Sequence, residues 1–169
     1  DTNMLQKPYG IVDVKYIASN GTFGLTKKKT FQLEPGFYRF VFSHGPEYGI
    51  VEKEVNLAAN DTMTLENIVM QRALETPGYI SADFHIHAIK SPDSSMSTER
   101  RVLAAVAEGL DVLQSSDHDY LTNFAPVAHE MMRANLIPHE SIRTSVGDEV
   151  TPNHYGHLHA FPLEHHEED

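Results

Sequence analysis

Asp83-Phe84-His85-Ile86-His87 is the stretch of this chain whose residue types and spacing best fit chemistry. In an extended segment, residues two apart share a face, which sets His85 beside His87, about 7 Å apart at Cα. Two imidazoles at that separation can converge on one ion at about 2.0–2.1 Å per bond. Taken alone, the pair is equally a solvated or hydrogen-bonded strand end. Asp117-His118-Asp119 follows a short apolar run, and flanking carboxylates can fix the tautomer of a ligand imidazole. A polar turn would use the same residues. Gly147-Asp148-Glu149-Val150-Thr151 places acids after another apolar run, and Gly156-His157-Leu158-His159-Ala160-Phe161 is a second same-face histidine pair. Each cluster by itself is compatible with ordinary surface chemistry. Their recurrence at successive strand ends points to a metal site.

The elements that must position these residues come in two halves. Residues 1–78 read as a small antiparallel β-sandwich. Phe37 to Phe42 and Ile50 to Leu57 alternate in character, and Ile11 to Ile17 and Leu65 to Met70 are further candidate strands. Asn20-Gly21, Pro35-Gly36, Gly45-Pro46 and Asn60-Asp61 punctuate them with turn chemistry. Thr76-Pro77-Gly78 reads as a boundary. Residues 79–169 then alternate strand and helix: Tyr79 to His87, a helix over Thr98 to Glu108 capped by Ser97 or Thr98 and stopped by Gly109, and Leu110 to Leu113. A second helix over Phe124 to Ala134 and strands at Ile142 to Val146 and His157 to Phe161 complete the series. Such alternation predicts parallel strands with helices outside, an α/β unit after an all-β one.

Composition narrows the function classes. A formal net charge of −11 argues against a phosphate-backbone binder, so no nucleic-acid partner is expected. The one basic cluster, Lys27-Lys28-Lys29, suits a solvated strand edge or turn. With no cysteine, disulfides, thiolate zinc sites and cysteine nucleophiles are all removed, while 11 histidines stand out. No apolar run approaches the roughly 20 residues of a membrane helix. The chain starts at Asp1 rather than Met, so a processed or excised piece is expected, with a periplasmic or extracellular location slightly favoured over a cytoplasmic one.

The ordered set D-F-H-I-H, S-P-D, S-S-D-H-D, G-D-E-V-T and G-H-L-H-A-F resembles the polymerase-and-histidinol-phosphatase (PHP) superfamily of metallohydrolases. The preceding L-E-P-G-F-Y-R-F-V-F-S-H-G-P-E-Y looks like the bacterial branch with aryl-carbamate hydrolases, in which a small sandwich precedes the catalytic part. The first resemblance covers about residues 79–163. It implies the first βα units of a distorted (β/α) barrel. It also implies His85, His87, Asp93, His118, Glu149 and His157 as metal ligands, with Glu149 bridging and Asp83 and Asp117 in support. His159 and Asp119 face the expected pocket as candidates for proton or substrate handling.

Imidazole and carboxylate donors without thiolates suit Zn, Mn or Fe better than calcium. Two or three such ions about 3.5–4 Å apart can hold a hydroxide nucleophile and neutralise charge on a phosphoryl or carbonyl oxygen. The expected activity is therefore hydrolysis of phosphoester, or ester and carbamate, bonds in a small-molecule substrate. The family's late D-x-H motif is missing, since the only D-x-H is Asp83-Phe84-His85. The competing reading is accordingly a binding or self-assembling protein, a homo-oligomer joined through exposed strand edges. His129-Glu130 is not followed by a second histidine at Arg133 and reads as helix surface. His44, His139 and the tail His165-His166 read as loop or solvated residues, and His154 as a neighbour of the last cluster.

Overall fold

The computed structural model describes residues 32–165, so the candidate strand Ile11 to Ile17, the lysine cluster and the extreme tail lie outside the described residues. Within them the chain is mixed α/β, with a two-stranded sheet, a four-stranded sheet and two helices, and no closed barrel. Strands β1 (Gly36–Phe42) and β2 (Val51–Leu57) pair antiparallel from Gly36↔Leu57 to Phe42↔Val51. Their alternating burial matches the alternating sequence. Leu65 to Met70, expected as a strand, is not one. Asn67 sits at φ 56°, a left-handed conformation that breaks the pleat in the middle of the run.

The second sheet has the order β3-β4-β5-β6, formed by Ala82–Ile86, Val112–Ser115, Arg143–Val150 and Leu158–Leu163. β3, β4 and β5 run parallel as the βα alternation requires, whereas β6 runs antiparallel to β5. That corrects the all-parallel expectation. Residues 151–157 make too short a link for a parallel crossover, which takes about a dozen residues or more. Tyr79 and Ile80, expected inside the first strand, precede it and are exposed.

The helices supply most of the core. α1 (Thr98–Ala107) starts at Ser97, whose Oγ accepts from Arg100 N at 3.3 Å, and its chain turns away at Gly109 with φ 69°. Val102, Ala105 and Val106 of α1 join Ala128, Met131 and Met132 of α2 (Ala125–Arg133) in one buried cluster with Leu113, Phe124, Ile137 and Ile142. Together they anchor the strands whose carboxyl ends carry the polar clusters.

The four-stranded sheet is curled. In a flat sheet β3 and β6 would lie about 14 Å apart, three interstrand spacings. Yet the rings of Phe84 and Phe161 stack at 5.5 Å and those of His85 and His159 meet at 4.0 Å. Bulges accompany the curl: three residues of β3 span two of β4 between Asp83 and Ile86, and the β5–β6 register shifts between Val146 and Asp148. Gly147 sits at the second shift, where an added Cβ would meet Gln114 Nε2 at 2.3 Å, Ser115 O at 2.8 Å and Ala160 O at 3.0 Å. Only glycine allows the three strands to approach this closely.

Candidate metal centre

Strand register brings the sequence clusters together. The β4–β5 pairing runs from Val112↔Arg143 through Gln114↔Ser145, and the same offset continues to an isolated bridge, His118↔Glu149. On the other side of β5, Glu149 lies opposite His159. Glu149 is 4% exposed and sits at the centre. Its Oε2 lies 2.8 Å from His87 Nε2, 3.2 Å from His85 Nε2 and 3.4 Å from His118 Nδ1. Its Oε1 lies 2.9 Å from His157 Nδ1 and 3.8 Å from His159 Nε2. His85, His87, His118, Glu149 and His157, expected as ligands, therefore converge, and His159 joins them. Two groups have ligand atoms all within 4.8 Å of one another: His85, Glu149 and His159, and His87, His118 and Glu149. Glu149 belongs to both.

Hydrogen bonds orient the imidazoles. His87 Nδ1 donates to Asp93, at 2.9 and 3.0 Å from its two oxygens, and the Ser91 hydroxyl donates to Asp93 Oδ1 at 2.6 Å. With Nδ1 protonated, Nε2 of His87 carries the lone pair that faces Glu149. The Thr151 hydroxyl donates to Glu149 O at 2.7 Å, so its Oγ accepts from His118 Nδ1 at 2.7 Å. These tautomers are assigned from the bonding network. They leave Nε2 of His118 unprotonated, 3.5 Å from Asp93 Oδ2. Asp93 thus stands as the carboxylate partner of His87 and faces His118; it belongs to neither close group.

Asp117, Asp83 and Asp119 hydrogen-bond to the surrounding backbone. Asp117 is fully buried and accepts from Ala88 N at 2.5 Å and from the Thr122 hydroxyl, tying the loop after β3 to the loop after β4. Asp83 accepts from His85 N at 2.9 Å. Asp119 accepts from Thr151 N at 2.9 Å, and its own N–H donates to Glu149 O at 3.2 Å, so it clamps the loop that carries Thr151. His129, His139 and His154 are exposed and apart from the cluster. His44 instead binds Ala107 O at 2.6 Å, fastening the first hairpin to the end of α1.

The electrostatics favour ionised carboxylates. Burial pushes Glu149 up, but hydrogen bonds from His157 and His85, with attraction to His118 and His85 whenever these are protonated, outweigh it, and the net shift is downward. Asp93 is held well below the usual carboxylate range, first by the Ser91 hydroxyl and then by His87.

The donor set fits a cation. His87 Nε2 and His159 Nε2 are buried with no hydrogen-bond partner, even though His87 Nε2 lies 2.8 Å from a carboxylate oxygen. Nitrogen and oxygen that close without hydrogen-bond alignment point at a common third position, and ligands around an ion at about 2.0–2.2 Å have edges of about 3 Å. Ser91 and Thr151 stand in the quoted motifs without an assigned role, because their roles depend on loops folding back on the strand ends. Comparison with family models, with curated proteins and with solved structures returns no match for this chain.

Proposed function

We propose that this chain is a metal-dependent hydrolase of phosphoester, or ester and carbamate, bonds, of the PHP type that its motifs resemble. In this reading the curled four-stranded sheet is the front part of a distorted (β/α) barrel, and the β1–β2 hairpin belongs to a small β-sandwich ahead of it. The single observation that carries the reading is the buried Glu149 carboxylate, with imidazole nitrogens at 2.8–3.8 Å around both of its oxygens.

His87, His118 and Glu149 would hold one divalent ion and His85, Glu149 and His159 a second. Zn, Mn or Fe bound there supplies Lewis acidity and a water of lowered pKa. The chain's own residues do the rest. Asp93 and Ser91 orient His87, and Thr151 orients His118. His157, hydrogen-bonded to Glu149 and with a half-exposed side chain, would serve as ligand or proton carrier. Beside these groups a cleft of about 330 Å³ lined by Asp83, His85, His87, Asp93, Ser94 and Arg101 gives room for a small substrate.

The test is hydrolysis of p-nitrophenyl phosphate and of p-nitrophenyl acetate by the full chain after chelation, and again after adding Mn or Zn. Turnover that requires metal and disappears in His87→Ala supports the reading. Absent turnover by a metal-loaded chain refutes it and favours the assembly alternative, for which the exposed Leu158 and Phe161 on the outer strand β6 speak.

A further inference from the structure

Arg101 is a cation at the edge of this site that takes no part in holding the imidazoles or Glu149. It lies near the start of α1, where Nε donates to His87 O at 2.6 Å and Nη2 to Ser94 Oγ at 3.4 Å. Those contacts fix the guanidinium at the wall of the cleft that holds His85, His87 and Asp93. Two other arginines are neutralised: Arg39 pairs with Glu52 at 2.5 Å and Arg72 with Glu47 at 2.7 Å. Arg101 has no carboxylate partner among the described residues, although Asp83 and Asp93 line the same cleft. Those acids are engaged elsewhere, Asp83 with the His85 N–H and Asp93 with Ser91 and His87. In a chain of net charge −11, a rigidly held arginine left without a counter-ion at a cleft is a place for an anion from solution. The planar fork of guanidinium donors matches two oxygens of a phosphate. A neutral ester or carbamate would leave that charge unused.

We infer that Arg101 is the substrate-anion residue of this cleft and that it selects phosphate monoesters over neutral esters, which rests on the hydrolase reading for the reaction but not for the binding. The ester phosphorus would lie beside His85 and His87, with two non-bridging oxygens on the guanidinium.

Inorganic phosphate titrated calorimetrically into the Zn-loaded full chain reads the binding directly. Loss of one charge-assisted contact predicts a ten- to hundredfold weaker phosphate affinity in Arg101→Gln. Arg101→Lys, which keeps the charge but loses the fork, should weaken phosphate binding less than Arg101→Gln does. For turnover, KM for p-nitrophenyl phosphate should rise with the phosphate constant, and kcat/KM should fall at least about tenfold more than for p-nitrophenyl acetate. If Arg101→Gln does not fold, protection of Arg101 in the parent chain from phenylglyoxal by phosphate, read by mass spectrometry, gives the same answer. The inference is overturned by a parent chain that does not bind phosphate, by Arg101→Gln binding it normally, or by equal losses in Gln and Lys variants, which would mark a purely structural hydrogen bond. Phosphate binding through Arg101 without turnover of either ester would sink the hydrolase reading alone. Ester turnover indifferent to Arg101 would sink the inference alone.

Discussion

Replacing Glu149 with Gln keeps the shape of the central side chain and removes its charge and half of its acceptor capacity. In the metal-free chain the loss is modest. The hydrogen bonds at stake are those with His157 at 2.9 Å and His85 at 3.2 Å, and those imidazole side chains are 47% and 56% exposed. Charged hydrogen bonds are worth about 1.5–3 kcal/mol each when well shielded, and solvent screening reduces the sum here to roughly 1–2 kcal/mol. The metal-loaded chain loses far more, because Glu149 belongs to both candidate groups. An ion at about 100 times its dissociation constant stabilises by about 2.7 kcal/mol, so two ions contribute about 5 kcal/mol. At roughly 2–4 °C per kcal/mol for a chain of this size, Zn or Mn should raise the parent's melting midpoint by about 10–20 °C. In Glu149→Gln the same addition should raise it by less than about 3 °C. Scanning calorimetry with and without metal checks both numbers, with His129→Ala on the exposed surface of α2 as a control that keeps the parent's response. A Glu149→Gln chain with the parent's full metal shift would refute the idea that this carboxylate organises the site.

Thr151→Val removes the acceptor that fixes the His118 tautomer while leaving the donor atoms in place. It should weaken one ion about ten- to hundredfold and spare the other, visible as a split in a competitive chelator titration; equal weakening of both, or none, would contradict the orienting role. Gly147→Ala places a methyl against backbone oxygens of Ser115 and Ala160 and should destabilise the chain by about 1–3 kcal/mol in urea unfolding, whereas a change below about 0.5 would mean the strands can separate. Acidification should act in two stages. Imidazoles must be deprotonated to bind, so metal content after dialysis should fall on acidification. Glu149 and Asp93 have lowered pKa values, so the stability they add is present above the ordinary carboxylate range and is lost as pH falls through their folded values, below about 4. Metal retained down to pH 4 would argue against imidazole ligation.

Much of the centre was legible because its members sit where period-2 strands end. His85 and His87 share a face as their spacing requires, with rings 5.0 Å apart. His118 and Glu149 meet because parallel register carries on past the apolar part of β4. The place of His159 beside His85 was not legible, because it needs the antiparallel β5–β6 pairing and a curl that brings the outer strands together. No local pattern encodes that curl; bulges and the Gly147 contact produce it, and they appear only once three strands are packed. The roles of Ser91, Thr151 and Arg101 were not legible for a similar reason, since each acts through a loop or helix folding onto a strand end. The family resemblance implies Asp93 as a ligand, and the structure bonds it to His87, a distinction that depends on side-chain direction rather than on spacing.

The buried Glu149 carboxylate is shared by both candidate groups of metal ligands. Electron paramagnetic resonance of the chain titrated with Mn(II) tests it most directly. If both groups hold a metal, two Mn(II) bind per chain and at full loading couple into an exchange-broadened signal. A single bound ion, or two whose spectrum keeps the resolved hyperfine pattern of isolated Mn(II), would contradict it.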